Sequence, residues 1–186
     1  MAGEEIIRGF QQRVEKTVED LRRELAKIRT GRANVAMLDG ISVDSYGTRM
    51  PLNAVSTITV PDARTIVIKP FDKSQIAAIE KAILESDVGI TPQSDGTVVR
   101  LPIPALTEER RKEIAKQVRK KGEDYKIAIR NARRDSNEQI KGMTKEGEIS
   151  DDEEKRLLDQ VQKETDAGIA KVDEVVARKE KEVMEI

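Results

Sequence analysis

Residues 107–145 read TEERRKEIAKQVRKKGEDYKIAIRNARRDSNEQIKGMTK, and this stretch sets the architecture of the chain. Apolar or small residues recur along it in steps of three and four: Ile114, Val118, Gly122, Tyr125, Ile129, Ala132, Ser136, Ile140 and Met143. At about 100° per residue, positions with this spacing fall within roughly 80° of arc on an α-helix. The stretch therefore predicts one long helix that buries a single narrow stripe.

Basic residues lie beside that stripe on one flank only: Lys112, Lys116, Arg119, Lys126, Arg130, Arg133, Arg134 and Lys141. The acids Glu113, Asp124, Asp135 and Glu138 fall mostly on the far side. Residues 107–141 carry 12 Lys/Arg against 7 Asp/Glu, whereas residues 142–186 carry 8 against 14. Two interpretations follow. Either a helical bundle pairs its own helices, or the basic flank meets a partner made of phosphates.

Two more amphipathic segments complete a bundle. Residues 4–29 carry an apolar seam at Ile7, Phe10, Val14, Val18, Leu21, Leu25 and Ile28. The last segment opens with a capping box at Ser150-Asp-Asp-Glu153. Its predicted stripe is Leu158, Val161, Thr165, Ile169, Val172, Val176 and Val183. These patterns predict three long helices.

The chain between the first and second helices differs in texture. From residue 41 to 101 it is rich in Pro, Gly and β-branched residues, with strands predicted at 41–46, 55–60, 65–68 and 98–101. A short helix is expected to begin after Asp72. We therefore predict an α+β protein. Residues 1–30 and 105–186 form an elongated three-helix bundle, and residues 31–104 form an inserted small β/α/β domain.

Two lengths of chain must connect the predicted domains. The first is Thr30, Gly31 and Arg32, and the second is Pro102, Ile103, Pro104 and Ala105. A double connection permits bending about one line while restricting free tumbling, so we interpret these residues as a hinge. The alternative is an insert that is docked rigidly.

The residue inventory excludes most enzyme chemistry. The chain has no Cys and no His, which removes thiol and Ser-His-Asp catalysis and the commonest metal ligands. It has no phosphate-binding loop motif, and the acids Asp151–Glu154 are interpreted as partners of a helix N-terminus. We predict no catalytic residue, no metal and no cofactor. The acidic start Met1-Ala-Gly-Glu-Glu and the lack of a long apolar run predict a soluble, cytoplasmic protein that does not bind membranes.

The basic flank remains as the candidate site. Arginine dominates its centre, and the planar guanidinium suits phosphate better than an ammonium does. The predicted RNA-binding set is Arg130, Arg133, Arg134, Arg29, Arg32, Lys126 and Arg119. Because only 2% of residues are aromatic, a base-stacking platform is disfavoured. The expected target is a folded RNA held through its phosphates and shape.

Five stretches of the sequence form a recognisable set. Two are Ile28-Arg-Thr-Gly-Arg-Ala33 and Arg130-Asn-Ala-Arg-Arg-Asp135. The other three are Thr107-Glu-Glu-Arg-Arg-Lys112, Ser86-Asp-Val-Gly89 and Ser150-Asp-Asp. Together they resemble the ribosome recycling factor family, and the first two look like its signature motifs. The similarity runs end to end. Two positions depart from the usual pattern: Ala132 stands where a larger aliphatic is common, and Met50 where a small polar residue is common.

The resemblance implies an L-shaped, tRNA-like molecule in which the bundle binds large-subunit rRNA after termination, across the A and P sites. It implies that the factor, with elongation factor G and GTP hydrolysis by that partner, splits the ribosome into subunits. Arg130 and Arg133 fall on arginines that the family uses against rRNA, and Arg29, Gly31 and Arg32 fall on its hinge-side motif. We expect a monomer. A structural coiled-coil adaptor is the rival hypothesis, and an enzyme is a distant third.

Overall fold

The computed structural model describes residues 2–185 and divides the chain into two compact units. One unit holds the chain up to Arg29 together with the chain from Glu108 onward, and the other is Thr30–Thr107. Met1 and Ile186, which we assigned to the helical domain, lie outside the described residues. The elements in chain order are α1 (Ala2–Ala26), β1 (Ser42–Ser45), β2 (Thr48–Pro51), α2 (Leu52–Val55), β3 (Ser56–Asp62), β4 (Thr65–Pro70), α3 (Ile76–Glu85), β5 (Gln93–Ser94), β6 (Val99–Pro102), α4 (Glu108–Lys145) and α5 (Asp151–Met184).

The first unit is a bundle of α1, α4 and α5, each of which packs against the other two. The stripe predicted on residues 107–145 is confirmed. Seven of its positions are buried, and Tyr125 and Met143 are half-buried. Side chains of all three helices are buried in the core, among them Leu21, Ile129 and Leu157. The three apolar seams therefore face one another.

Two details of the helical prediction were wrong. Helix α1 ends at Ala26 rather than at residue 29, and Ile28 lies in the turn that follows, donating its N–H to the Leu25 carbonyl at 3.1 Å. On α5 Leu157 and Gly168 are buried although they were not predicted, whereas the predicted Leu158, Ile169 and Val176 are only half-buried. Gly168 was missed because it contributes no apolar side chain. It is buried because α1 approaches there: a Cβ on Gly168 would stand 2.6 Å from a methyl of Val14.

The turn between α4 and α5 follows two known capping patterns. Gly147 adopts φ +77°, its N–H donates to the Thr144 carbonyl, and the Glu148 N–H donates to the Met143 carbonyl. These are the two bonds of a Schellman motif, which needs a left-handed residue after the helix. Ser150 then accepts from the Glu153 N–H at 3.2 Å, which confirms the predicted N-cap of the last helix. The turn is thus set by local sequence.

The second unit carries two antiparallel sheets. Strands β1 and β2 form a hairpin, and β3, β4, β6 and β5 form a four-stranded sheet in that order. Ile66 and Ile68 of β4 are fully buried and pair with Leu101 and Val99 of β6. Alternate residues of these strands, with Ile79 and Ile83 of α3, belong to a core separate from that of the bundle. The α+β prediction with an inserted β/α/β domain is confirmed.

The second unit also contains elements that the sequence did not predict. Strand β2, the single turn α2 and the two-residue β5 were missed. Each is four residues or shorter, too short to show a hydrophobic period. Asp72 was placed correctly: its side chain accepts from the Ser74 N–H at the start of a 3₁₀ turn that leads into α3.

Candidate nucleic-acid interface

Three cations of the predicted RNA-binding flank lie along the contact between α4 and α5. Arg119, Lys126 and Arg133, here called the inner row, are spaced seven residues apart and so return to nearly the same side of the helix. Arg119 donates from Nε to Glu180 Oε1 at 2.9 Å. Lys126 forms an ion pair with Asp173 and a second, at 3.3 Å, with Glu123. Arg119 and Lys126 are therefore neutralised by carboxylates of the bundle itself.

Lys126 is much more enclosed than Arg119, whose side chain is 65% exposed. The Lys126 side chain is only 16% exposed. The hydrogen bond to Asp173 raises the pKa of Lys126 above its ordinary value of 10.5, against the opposing effect of burial. Lys126 is therefore charged, paired and largely removed from solvent.

Arg133, the third residue of the inner row, makes a different kind of contact. Arg133 donates from Nη1 to the side-chain carbonyl of Gln162 at 3.1 Å, and Gln162 donates from Nε2 to Asp166 at 2.9 Å. The Nε atom of Arg133 is buried and has no hydrogen-bond partner. Its Nη2 makes no hydrogen bond and is not buried. Arg133 thus touches a neutral amide where Arg119 and Lys126 touch carboxylates.

Four other cations of the flank form a separate line, here called the outer row. Lys116, Arg130, Arg134 and Lys141 are exposed, and none of them makes a hydrogen bond or an ion pair with any described residue. Lys112 continues the line but is paired with Glu108 at 3.1 Å. The outer row offers positive charge that the protein itself does not neutralise.

One acid beside the outer row, Asp135, is directed to α1. Asp135 directly follows Arg134, yet it accepts from Arg13 of α1 at 2.9 Å. On the same side of α4, Lys121 pairs with Glu24 of α1 at 3.2 Å. The far flank of α4 is therefore used for packing against α1, which leaves the charge of Arg134 uncompensated.

Internal pairing, the first interpretation of the basic flank, holds for part of the inner row. The inner row shows a bundle pairing its own helices, and this applies to Arg119 and Lys126 of the predicted RNA-binding set. Arg130 and Arg134 retain the geometry expected for a phosphate contact. The helical period predicts the basic flank. The division into rows was not predictable, because it depends on residues of α5 that lie 29 to 61 positions away in sequence.

The sequence also missed three residues of this face. Gln162 and Asp166 were not predicted because they belong to α5 and are linked to the basic flank only by the hydrogen bonds from Arg133 to Gln162 and from Gln162 to Asp166. Ile127, three residues before Arg130, is 50% exposed. An apolar residue off the buried stripe was the available signal for Ile127.

The remaining predicted RNA-binding residues lie near the boundary between the units. Arg29 and Arg32 are exposed, and neither is without a partner. Between them, Gly31 adopts φ +76°, a left-handed conformation that favours glycine. A Cβ on Gly31 would stand 2.9 Å from Cγ of Leu106. The two connections therefore touch each other within the second unit.

Part of the predicted hinge belongs to the folded body of the second unit. Pro102 is the last residue of β6, and buried Ile103 donates its N–H to the Arg64 carbonyl at 2.8 Å. On the other connection, the Ala33 N–H donates to the Ala63 carbonyl at 2.7 Å. Freedom to bend is thus reduced at Pro102 and Ile103, which leaves Pro104 and Ala105 as the less constrained part.

Other kinds of site find no support in the described part of the chain. Over residues 2–185 no group of His, Cys, Asp or Glu side chains could hold a metal ion, and no helix is long and apolar enough to cross a membrane. The exposed aromatic side chains are Tyr46 and Phe71 in the second unit, so α4 presents cations without a stacking platform.

Comparison with known proteins agrees with this architecture. A family model described as ribosome recycling factor matches residues 21–184. The chain belongs to the ribosome recycling factor family. The family's members are translation factors, and the chain is not an enzyme.

Individual relatives cover the whole chain. The ribosome-recycling factor of Myxococcus xanthus is 51% identical over 186 residues, with 100% of both chains covered. The solution structure of a ribosome recycling factor matches with a TM-score of 0.75 and 38% identity, covering 100% of this chain and 99% of that one. A second structure, at TM-score 0.62 and 42% identity with both chains fully covered, is the T. thermophilus ribosome recycling factor with E. coli elongation factor G bound to the E. coli post-termination complex.

Proposed function

We propose that this chain binds the post-termination ribosome through large-subunit rRNA in the region of the A and P sites. With elongation factor G, and GTP hydrolysis by that factor, it splits the ribosome into subunits in the cytoplasm. Membership of the family supports this proposal, as does the related factor bound with elongation factor G to a post-termination complex.

The outer row is the observation that carries the proposal to particular residues. Arg130 and Arg134, with Lys116 and Lys141, are exposed cations that no described residue neutralises. Such a line attracts a phosphate backbone, and each phosphate it neutralises releases counterions from the RNA. We assign the principal rRNA contacts to this row together with Arg133, and a structural role to Arg119 and Lys126.

The bundle supports a monomer rather than an adaptor that self-associates. The seam of α1 is buried against α4 and α5, from Ile7 to Leu25. A coiled-coil adaptor needs an apolar seam left for its partner. Sedimentation alone and with large ribosomal subunits separates these two hypotheses: we expect a monomer that co-sediments with the subunit, whereas self-association without ribosome binding supports the adaptor.

The proposed activity is tested by breakdown of post-termination ribosomes into subunits. Purified protein, elongation factor G and GTP are combined, and each is omitted in turn. We expect splitting only in the complete mixture. Splitting that persists without the protein, or without elongation factor G, contradicts the proposal.

A further inference from the structure

The contacts of Arg119, Lys126 and Arg133 with α5 form a ladder, and the third contact differs from the first two. What this difference means for RNA binding rests on the proposed function. Glu180, Asp173 and Asp166 are spaced seven residues apart on α5, in register with Arg119, Lys126 and Arg133 on the antiparallel α4. The first two rungs are direct ion pairs. In the third, Gln162 stands between the arginine and the carboxylate.

This interruption leaves the charge of Arg133 available. An ion pair fixes a cation to its carboxylate, whereas an amide carbonyl accepts one hydrogen bond without neutralising the charge. The Nε atom of Arg133 is also buried without a partner, which is unfavourable for a charged donor. Arg133 is therefore oriented by its resting contact but held weakly.

Asp166 reinforces the orientation of the Gln162 amide from its other end. A glutamine side chain offers a carbonyl and an NH2 group, and only the carbonyl can accept from the guanidinium of Arg133. Because Gln162 Nε2 donates to Asp166 Oδ1 at 2.9 Å, its carbonyl faces Arg133 Nη1. The Asp166 carboxylate thus influences Arg133 only through Gln162.

We propose that Gln162 is a positioning residue for RNA binding. It holds Arg133 at the edge of the outer row through a neutral contact, and Asp166 keeps its amide in the orientation that makes this contact. The unbonded Nη2 of Arg133 is then presented to a phosphate of the RNA. A carboxylate at residue 162 would instead retain the guanidinium within the bundle.

The test replaces the neutral partner by a charged one of the same shape. Gln162→Glu is compared with Gln160→Glu, which makes the same change of charge on α5. Residue 160 is exposed and lies about 200° around the helix from residue 162. The readout is the affinity for large ribosomal subunits over a salt series. We expect Gln162→Glu to weaken binding about threefold to tenfold and Gln160→Glu by less than about twofold, since loss of a charged hydrogen bond is worth about tenfold.

A double-mutant cycle with Arg133→Ala separates positioning from general repulsion. We expect Arg133→Ala to weaken binding about tenfold and Gln162→Glu to have almost no further effect in that background. An equal effect of Gln162→Glu with and without Arg133 would overturn the proposal, because the added charge would then act on the RNA directly. If Arg133→Ala loses binding and Gln162→Glu does not, the role proposed for Gln162 is wrong, whereas the assignment of Arg133 as an RNA contact stands. Unchanged binding in Arg133→Ala contradicts its assignment as an RNA contact.

Discussion

Arg119 Nε lies 2.9 Å from Glu180 Oε1, and this contact joins α4 to α5 near the end of the chain. Seven residues further along α4, Lys126 meets Asp173, seven residues earlier on α5. A heptad spacing on both antiparallel helices keeps successive pairs on one line. The same helix face that looks uniformly basic in sequence is thus divided by its neighbour into paired and unpaired cations.

The ladder makes a measurable but small contribution to stability. Asp173→Asn removes the main partner of Lys126, whose side chain is 16% exposed. We expect the free energy of unfolding to fall by up to about 1 kcal/mol, the upper range for exposed ion pairs. Chemical denaturation at neutral pH measures this difference, with Asp159→Asn on the exposed surface of α5 as the control.

The effect of Asp173→Asn should depend on alkaline pH. Hydrogen bonding to Asp173 raises the pKa of Lys126 above 10.5, so the folded state holds that proton more tightly than the unfolded state. The contribution is fully present below pH 10.5 and is lost as pH rises through the higher folded value. A difference between wild type and variant that stays constant through that range contradicts this cause.

Close packing of α5 on α1 requires glycine at residue 168. A Cβ there would meet a methyl of Val14 at 2.6 Å, whereas a Cβ on Gly142 of α4 would meet nothing within 4 Å. We expect Gly168→Ala to destabilise the protein by about 1–3 kcal/mol through overpacking. Gly142→Ala should stabilise it by up to about 1 kcal/mol through helix propensity. Thermal unfolding compares the two variants. A Gly168→Ala variant that is more stable than wild type would show that α1 and α5 move apart without loss of stability, which contradicts the requirement for glycine.

Asp95 organises the turn before β6. Its carboxylate accepts from the Thr97 hydroxyl and from the N–H groups of Val98 and Thr97, and these bonds lower the pKa of Asp95 to about 2. We expect Asp95→Ala to lower the unfolding temperature at neutral pH, while Asp44→Ala, at an exposed side chain of β1, has little effect. Because the folded pKa is depressed, the difference should hold above pH 3.8 and vanish as pH falls through about 2. A difference that survives at lower pH rules out the carboxylate as its source.

Gly31 tests the proposed hinge. Proline is unsuitable there because its ring fixes φ near about −65°, whereas Gly31 has φ +76°. Gly31→Ala both strains the backbone and presses on Leu106, while Gly40→Ala, at φ +83°, only strains the backbone. We expect Gly31→Ala to reduce ribosome splitting more than ribosome binding, and Gly40→Ala to leave the ratio of the two unchanged. Equal losses of splitting and binding in Gly31→Ala count against hinge motion.

Long periodic segments were the most predictable part of the fold. The stripe from Ile114 to Met143 follows from spacing alone, and the Ser150 cap follows from a four-residue motif. The choice between Leu157 and Leu158 did not follow, because both fit an amphipathic pattern and only the position of α1 decides between them. Gly168 was invisible to a hydrophobic pattern for the same reason that it is needed: it has no side chain.

The sequence predicted which face of α4 carries the candidate site, but not which cations on that face are paired. Sequence spacing places Arg119, Arg130 and Arg134 on one flank, but it does not show that Glu180 reaches Arg119 while Asp135 turns away to Arg13. Both pairings join residues on different helices that lie more than sixty positions apart in sequence. Charge balance by segment suggested both internal pairing and an external partner. The geometry shows internal pairing at Arg119, and no described residue pairs with Arg130 or Arg134.

In the proposed function the two rows of α4 have different roles: the outer row is assigned to RNA contact, whereas Arg119 and Lys126 of the inner row are assigned to holding the bundle together. The salt dependence of binding to large ribosomal subunits distinguishes these roles. Two variants remove the same charge: Arg130→Gln with Arg134→Gln, and Arg119→Gln with Lys126→Gln. We predict that the outer pair lowers the slope of log affinity against log salt by about two units, one for each phosphate that is no longer neutralised, and that the inner pair leaves the slope unchanged. Equal reductions in slope for the two variants would contradict this division of roles.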